Sequence, residues 1–269
     1  MNIGALIPIR LKSERLPNKA LLEIAGRPVC YHLLDRVCDC KFINSKLAVV
    51  VCTTTDNSDD ALVEAVKDYG CSVFRGDEHD IIKRFRDAMQ SFQFDYVIQA
   101  DGDDPLSSTE YMDITMEALL ADPDGDIVTV EGLPLGCATK SFSKKAIDKV
   151  FASYITREND TGFIYYFTKT GICNHHVIHC KDPGHQHFKA RLTLDYNEDL
   201  DFFNKIFEGT SSVEGVLSLS EVVSYLKTHE ELCEINGFLE ESYNQRTIQK
   251  AALKYKSKSG LPKSINVQN

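Results

Sequence analysis

Short apolar runs alternate with amphipathic segments of helical period through the first half of the chain, and few folds accommodate that order. Residues 3–9 are apolar, too few for a helix and bounded by charge, and read as a buried strand. After Gly26-Arg27-Pro28, Val29, Leu33 and Val37 recur every four residues with Cys30, Leu34 and Cys38 beside them, as on one helix face. Residues 47–52 form a second apolar run. A helix is predicted over 58–69, with Asp59 and Asp60 in its first turn, where the helix dipole favours them, and Gly70 at its end. Further strands are predicted at 71–74, 96–100 and 127–130, and helices at 79–92 and 110–120. This alternation implies parallel strands covered by helices, a doubly wound α/β sheet. Ligands of such sheets sit beyond the carboxyl ends of the strands, so residues 10–19, 53–57 and 101–106 share one functional rim.

From Ser143 the pattern loosens. A helix is expected at 144–152, a strand-bearing arm at about 162–189, a short strand at 192–194, and helices near 200–207, 220–227 and 230–241. Residues 1–250 read as one domain. The Lys/Ser-rich stretch 251–269 reads as a frayed tail. Lys and Arg number 30 against 40 Asp and Glu, a formal charge of −10, which argues against nucleic acid or an anionic membrane as a partner. No apolar run approaches the ~18 residues of a membrane helix, and the first residues lack the basic lead-in of a signal peptide. Nine cysteines without an export signal suggest reduced thiols in a cytoplasmic protein.

Against that acidic background, Arg10, Lys12, Arg15 and Lys19 with only Glu14 among them give a local excess of three positive charges at the ligand rim. A triphosphate needs several cationic donors converging on its oxygens, with Arg offering a bidentate fork and Lys a point charge. Neither G-x-x-x-x-G-K-[ST] nor G-x-G-x-x-G occurs, which sets aside P-loop kinases and dinucleotide oxidoreductases. The second constellation is Gln99-Ala100-Asp101-Gly102-Asp103-Asp104-Pro105-Leu106, placed after a strand. Carboxylates so crowded are costly unless solvated or bound to a hard cation such as Mg²⁺.

The spacing P-x-R-x-x-S-x-R-x-P-x-K over residues 8–19 resembles the nucleotide-binding signature of the cytidylyltransferases that make CMP-activated sugars. These include the CMP-Kdo and CMP-sialate synthetases, and the likeness is greatest to the spore-coat-polysaccharide-type branch. Thr54-Thr55-Asp56-Asn57, Val73-Phe74-Arg75-Gly76, Arg157-Glu158-Asn159, Arg191-Leu192-Thr193-Leu194-Asp195, Glu198-Asp199-Leu200 and Glu234-Ile235-Asn236 follow in that branch's order. The resemblance implies a Rossmann-like, mainly parallel sheet with an inserted strand arm, and a homodimer. It implies that Arg10, Arg15 and Lys19 hold the CTP phosphates, with Ser13, Arg75 and Gly76 against the nucleotide.

For the metal, the resemblance maps G-D-x-P-L onto Asp103 and, in another branch, A-D-x-P-L onto Asp101, with Asp195 as the second carboxylate. Lys140 stands where the branch usually has Glu, and Arg157-Glu158-Asn159 where Arg-Glu-His is common, which marks Lys140 and Arg157 as acceptor residues. The expected reaction is transfer of CMP to a sugar acid, sugar phosphate or phosphonate-like acceptor in surface glycan or glycoconjugate biosynthesis, with Mg²⁺ and release of pyrophosphate. Two alternatives stand beside it. One is a glycosyltransferase using Asp101-Gly102-Asp103 as a D-x-D motif; the other is a nucleotide-binding paralogue without chemistry. The His/Cys-rich stretch 173–187 reads as polar strand faces, since neighbours in a strand point to opposite sides.

Overall fold

A computed structural model describes residues 1–187, 189–210, 215–250 and 252–265. The chain enters through β1 (Ile3–Pro8), then makes a miniature hairpin of β2 (Glu23–Ile24) and β3 (Arg27–Pro28). Ala25 and Gly26 both take positive φ there, as a two-residue primed turn demands. Pro28 leads directly into α1 (Val29–Cys38). The alternation then runs β4 (Val49–Thr54), α2 (Asp60–Tyr69), β5 (Ser72–Gly76), α3 (Ile81–Ser91), β6 (Tyr96–Gln99), α4 (Thr109–Ala121) and β7 (Ile127–Glu131). After it come β8 (Lys140–Ser143), α5 (Lys144–Ser153), the short α6 (Tyr165–Thr168), β9 (His175–His179), α7 (Asn197–Gly209), α8 (Leu219–Thr228), α9 (Glu240–Lys250), β10 (Lys254–Lys256) and β11 (Pro262–Ser264).

Seven strands form one sheet in the order β5-β4-β1-β6-β8-β7-β9. The β5, β4, β1 and β6 strands are parallel, β8 runs antiparallel to both β6 and β7, and β9 is parallel to β7. The two-residue period of a strand splits the core into two layers. Leu6 and Val97 face a layer built from Phe85 and Met89 of α3, Ile147 and Val150 of α5, and Phe142 of β8. Their neighbours Ala5, Ile7 and Ile98 face the opposite layer, with Leu33 and Val37 of α1, Val66 of α2 and Met112 of α4. A third apolar cluster seats α7 and α8 against Ile24, Val29, Leu192 and Leu194. Among the described residues no helix is long and apolar enough to cross a membrane.

The second half corrects several expectations. The segment expected to stand out as an arm lies in the main sheet instead, with β9 paired to β7 from Ile127↔His175 to Glu131↔His179. Residues 192–194 are not a strand; only Arg191 bridges to Leu135. Lys140–Ser143 is a strand that no apolar run announces. Its neighbours on both sides supply the ladder, and Ser141 Oγ is matched by Thr115 Oγ1 at 2.9 Å. The helix expected over 230–241 breaks into 3₁₀ turns around Asn236-Gly237, and α9 begins only at Glu240. The tail is not frayed through 265: β10 pairs with β11, and Leu253, Tyr255 and Ile265 are buried in the first core layer. Residues 266–269 lie outside the described residues.

Candidate active site

The basic loop leaves the carboxyl end of β1 and is pinned there by one buried carboxylate. Asp59, 1% exposed, accepts Leu11 N at 2.7 Å, Thr53 Oγ1 at 2.9 Å and Thr54 N at 3.2 Å, and also bonds Thr54 Oγ1. Burial alone would raise its pKa, but these donors, Leu11 N–H foremost, outweigh it and hold the carboxyl below its ordinary value. Asp59→Ala is therefore expected to destabilise the fold by about 3 kcal/mol, since each orphaned buried donor costs on the order of 1–3 kcal/mol. A carboxyl depressed in the folded state stabilises above the unfolded pKa of ~3.9 and loses that contribution as pH falls through its folded pKa. In urea titrations the gap between wild type and variant should thus narrow as pH falls below about 4; a pH-independent gap would show that Asp59 acts by shape alone.

The acidic turn follows β6 and packs directly on the end of β1. A Cβ on Gly102 would meet Ile9 Cγ1 and Pro8 O at 2.4 Å, so no other residue fits there without displacement. This contact places Asp101 and Asp103 beside the basic loop. Lys19 Nζ meets Asp103 Oδ2 at 2.9 Å, Asp195 Oδ1 at 2.8 Å and Leu194 O at 2.8 Å, which saturates the ammonium. Arg15 also pairs with Asp195. Lys140 Nζ, at 2.6 Å, and Gln99 Nε2, at 2.8 Å, hold the two oxygens of Asp101.

Asp195 is fully buried and belongs to a deeper network. Arg191 Nη2 lies 3.4 Å from Asp195 Oδ2, and its Nε donates to Asp199 Oδ1 at 3.0 Å. Asn236 Nδ2 donates to Asp199 Oδ1 and to Arg191 O, both at 2.9 Å. Asp199 Oδ2 accepts the backbone N–H of Asp195 and Tyr196 at the start of α7. Asp199 therefore caps that helix and leaves the Asp195 carboxylate for its three cations. Burial works against ionisation throughout this cluster, and the outcome differs by partner. Lys19, Arg15 and Arg191 outweigh it at Asp195, and Lys140 outweighs it at Asp101, so both carboxyls sit below their ordinary value. At Asp103, burial with the charges of Asp195 and Asp101 overrides Lys19 and raises it. Asp104 is pushed up further by burial, Asp103 and Asp101, and its Oδ1 is buried without a partner.

These groups line a cleft of about 500 Å³. Arg10, Ser13, Arg15, Lys19, Asp101, Asp103 and Lys140, all singled out in the sequence, are on its wall. Asp195 lies just beneath, bonded to Arg15 and Lys19. Arg75, Gly76 and Arg157, expected against the nucleotide and the acceptor, lie outside this lining and make other contacts. Arg75 is bound to Thr54 O, Asp56 O and Asp60, so it braces the loop after β4. Gly76 accepts Thr55 N at the same loop. Arg157 pairs with Asp80 and Tyr154, and its segment serves α3: Asn159 Oδ1 accepts Ile81 N at 2.9 Å and Ile82 N at 3.2 Å. Asp101 pairs with Lys140, while Asp103 and Asp195 share Lys19.

Several lining residues were not picked out from the sequence. Arg84 reaches the wall from α3 with its guanidinium on the carbonyls of Asp77 and Glu78, and Asp160 pairs with Arg10. Tyr243, Arg246 and Thr247 come from α9, where nothing in a polar helix forecasts a site. Arg191, Asp199 and Asn236 stood inside the quoted segments, but only their convergence shows what they hold. In the His/Cys-rich stretch, His175 meets Thr129 Oγ1 at 2.8 Å and His185 lies against Tyr111. Among the described residues, no group of three or more His, Cys, Asp or Glu is placed to hold a metal, and all nine cysteines are free.

A family described as cytidylyltransferase matches residues 4–213. Over 226 residues the chain is 24% identical to the spore coat polysaccharide biosynthesis protein SpsF of Bacillus subtilis, covering 82% of this chain and 92% of that protein. It is 31% identical over 133 residues to the 3-deoxy-manno-octulosonate cytidylyltransferase of Pelobacter propionicus, so the likeness spans 49% of each chain. The solved structure of a cytidylyltransferase from Leptospira borgpetersenii superposes with a TM-score of 0.76 at 24% identity, covering 87% of this chain and 97% of that one. That likeness is one of fold.

Proposed function

The chain belongs to the cytidylyltransferase family, and from that premise we propose that it transfers CMP from CTP to a small anionic, sugar-like acceptor and releases pyrophosphate. The observation that carries this reading is the position of Lys19, Arg10 and Arg15 at the mouth of one cleft, each held ready by a carboxylate of another segment. At these cations phosphate oxygens compete with the carboxylates, most readily at the more exposed Arg10–Asp160 pair, and bidentate Arg–phosphate contacts are among the strongest charge-assisted hydrogen bonds. The acceptor oxygen attacks the α-phosphorus in line as the bond to pyrophosphate breaks. Catalysis then rests on positioning and on donors already aimed at developing charge, and no covalent protein nucleophile takes part.

The donor set fits Mg²⁺. Asp103 Oδ2 and Asp195 Oδ1 converge on a single cation, the Lys19 ammonium, and the buried Asp104 Oδ1 beside them is unpartnered. Two carboxylates with phosphate oxygens and water complete the usual shell of a nucleotide-bound Mg²⁺. Asp103 and Asp195 would hold the ion, which when bound neutralises phosphate charge and orients the leaving group. Asp101, claimed by Lys140, is not paired with Asp103 in the manner of a D-x-D clamp.

Lys140 sits on the cleft wall and is 15% exposed, and its place in the sequence, where the related branch usually has Glu, assigns it to the acceptor end. Lys140→Gln is expected to raise the acceptor KM by about tenfold or more, the scale of one hydrogen bond to a charged group at ~1.5–3 kcal/mol, with little change in the KM for CTP. Equal changes in both would remove Lys140 from the acceptor site. The reading as a whole is tested by pyrophosphate release from CTP and Mg²⁺ with gluconate, glucose 6-phosphate and 2-hydroxyethylphosphonate as representatives of the three acceptor classes. Release with at least one supports it. Tight CTP binding without release would point to a nucleotide-binding paralogue, and nucleoside diphosphate release from a nucleotide sugar to a glycosyltransferase.

A further inference from the structure

The helix α9 lies beyond residues 4–213, the stretch that matches the family, yet it closes one side of the cleft with Tyr243, Arg246 and Thr247. Tyr243 anchors it: its ring faces the Arg191 guanidinium at 4.7 Å and the Arg15 guanidinium at 5.9 Å, so the helix stands on the same network that holds Asp195. Arg246, three residues on and hence on the same helix face, reaches across to Glu14 of the basic loop. Arg15 and Lys19, by contrast, grip the buried Asp195. The Glu14 side chain is 68% exposed, and an ion pair in water is held weakly, so Arg246 exchanges Glu14 for another anion at small cost.

Function lives in the sites grafted on a shared fold, and α9 brings a further cation to the cleft wall from outside residues 4–213. We infer that Arg246 binds the anionic group, carboxylate or phosphate, of the acceptor, leaving Glu14 as it does so. It is the outer cation of the acceptor end, and Lys140 is the deeper one. This assignment rests on the CMP-transfer reading and adds to it a residue that contacts the acceptor.

The test compares wild type with Arg246→Gln and Arg246→Lys, using CTP, Mg²⁺ and the same three probes, with CTP affinity measured separately by calorimetry. The expected result is a rise of tenfold or more in acceptor KM for Arg246→Gln, with kcat and CTP affinity within twofold of wild type and most of the loss restored by Arg246→Lys. A helix surface contact that merely supported the fold would not produce that split or that rescue. An unchanged acceptor KM overturns the inference and leaves the CMP-transfer reading standing. A matching loss of CTP affinity also overturns it, by moving Arg246 to the donor phosphates. A wild type that releases no pyrophosphate with any probe overturns the CMP-transfer reading, and this inference with it.

Discussion

Asp195→Asn should lower turnover by about 10²–10³-fold or more, the scale seen when one preorganised electrostatic partner is removed from an active site. The carboxylate answers Lys19, Arg15 and Arg191 together, and it is fully buried. Asn preserves its shape and removes its charge. Read as a helix cap, Asp195 would cost about 1 kcal/mol on replacement. The structure raises that figure, because Asp199 does the capping and Asp195 is an ion-pair centre. Breaking a buried pair by removing one partner costs about 3–5 kcal/mol. Chemical denaturation and steady-state assays should therefore report losses of both stability and turnover. Full activity in a folded Asp195→Asn protein would place the metal carboxylates elsewhere.

The second large effect is expected from Lys19→Met. It removes the one ammonium that Asp103 and Asp195 share, along with a hydrogen bond to Leu194 O. Turnover should fall about 10²–10³-fold or more. A buried carboxyl left without its cation takes up a proton rather than remain charged, and Asp103 already sits above its ordinary value. A carboxyl raised in the folded state means that the native protein holds a proton the unfolded chain has released, so stability falls as pH rises between the two pKa values. The stability deficit of Lys19→Met should accordingly be larger at pH 7 than at pH 5. A deficit that shrinks with rising pH would show that Asp103 is not the group left unpaired.

Strand–helix alternation was legible because most elements from β1 to β7, the small β2–β3 hairpin aside, bury a face that their own residues display. Val29, Leu33 and Val37 on α1 and the apolar run of β4 need no distant partner to be recognised. Elements whose stability comes from their neighbours were not legible. The β8 strand, Lys-Ser-Phe-Ser, has one apolar side chain and is a strand because β6 and β7 flank it. The hairpin of β10 and β11 lies in a Lys/Ser-rich stretch and is ordered by Leu253, Tyr255 and Ile265 entering a core assembled by other segments.

The candidate site divides along the same line. The charge excess of one loop picked out Arg10, Arg15 and Lys19, and the family resemblance added Ser13; the acidic turn of Asp101, Asp103 and Asp104 falls on the same rim because strand ends and their loops share a location in any doubly wound sheet. The choice of partners needed the folded chain. Asp103, not Asp101, meets Lys19; Arg75 and Arg157 turn to bracing roles; and Arg246 arrives from α9. Charge pairing depends on separations of a few ångströms between segments far apart in the chain, and an electrostatic contact falls off with distance and solvent exposure regardless of sequence order. Local pattern therefore told which residues carry charge to the rim, and long-range packing told which of them face one another.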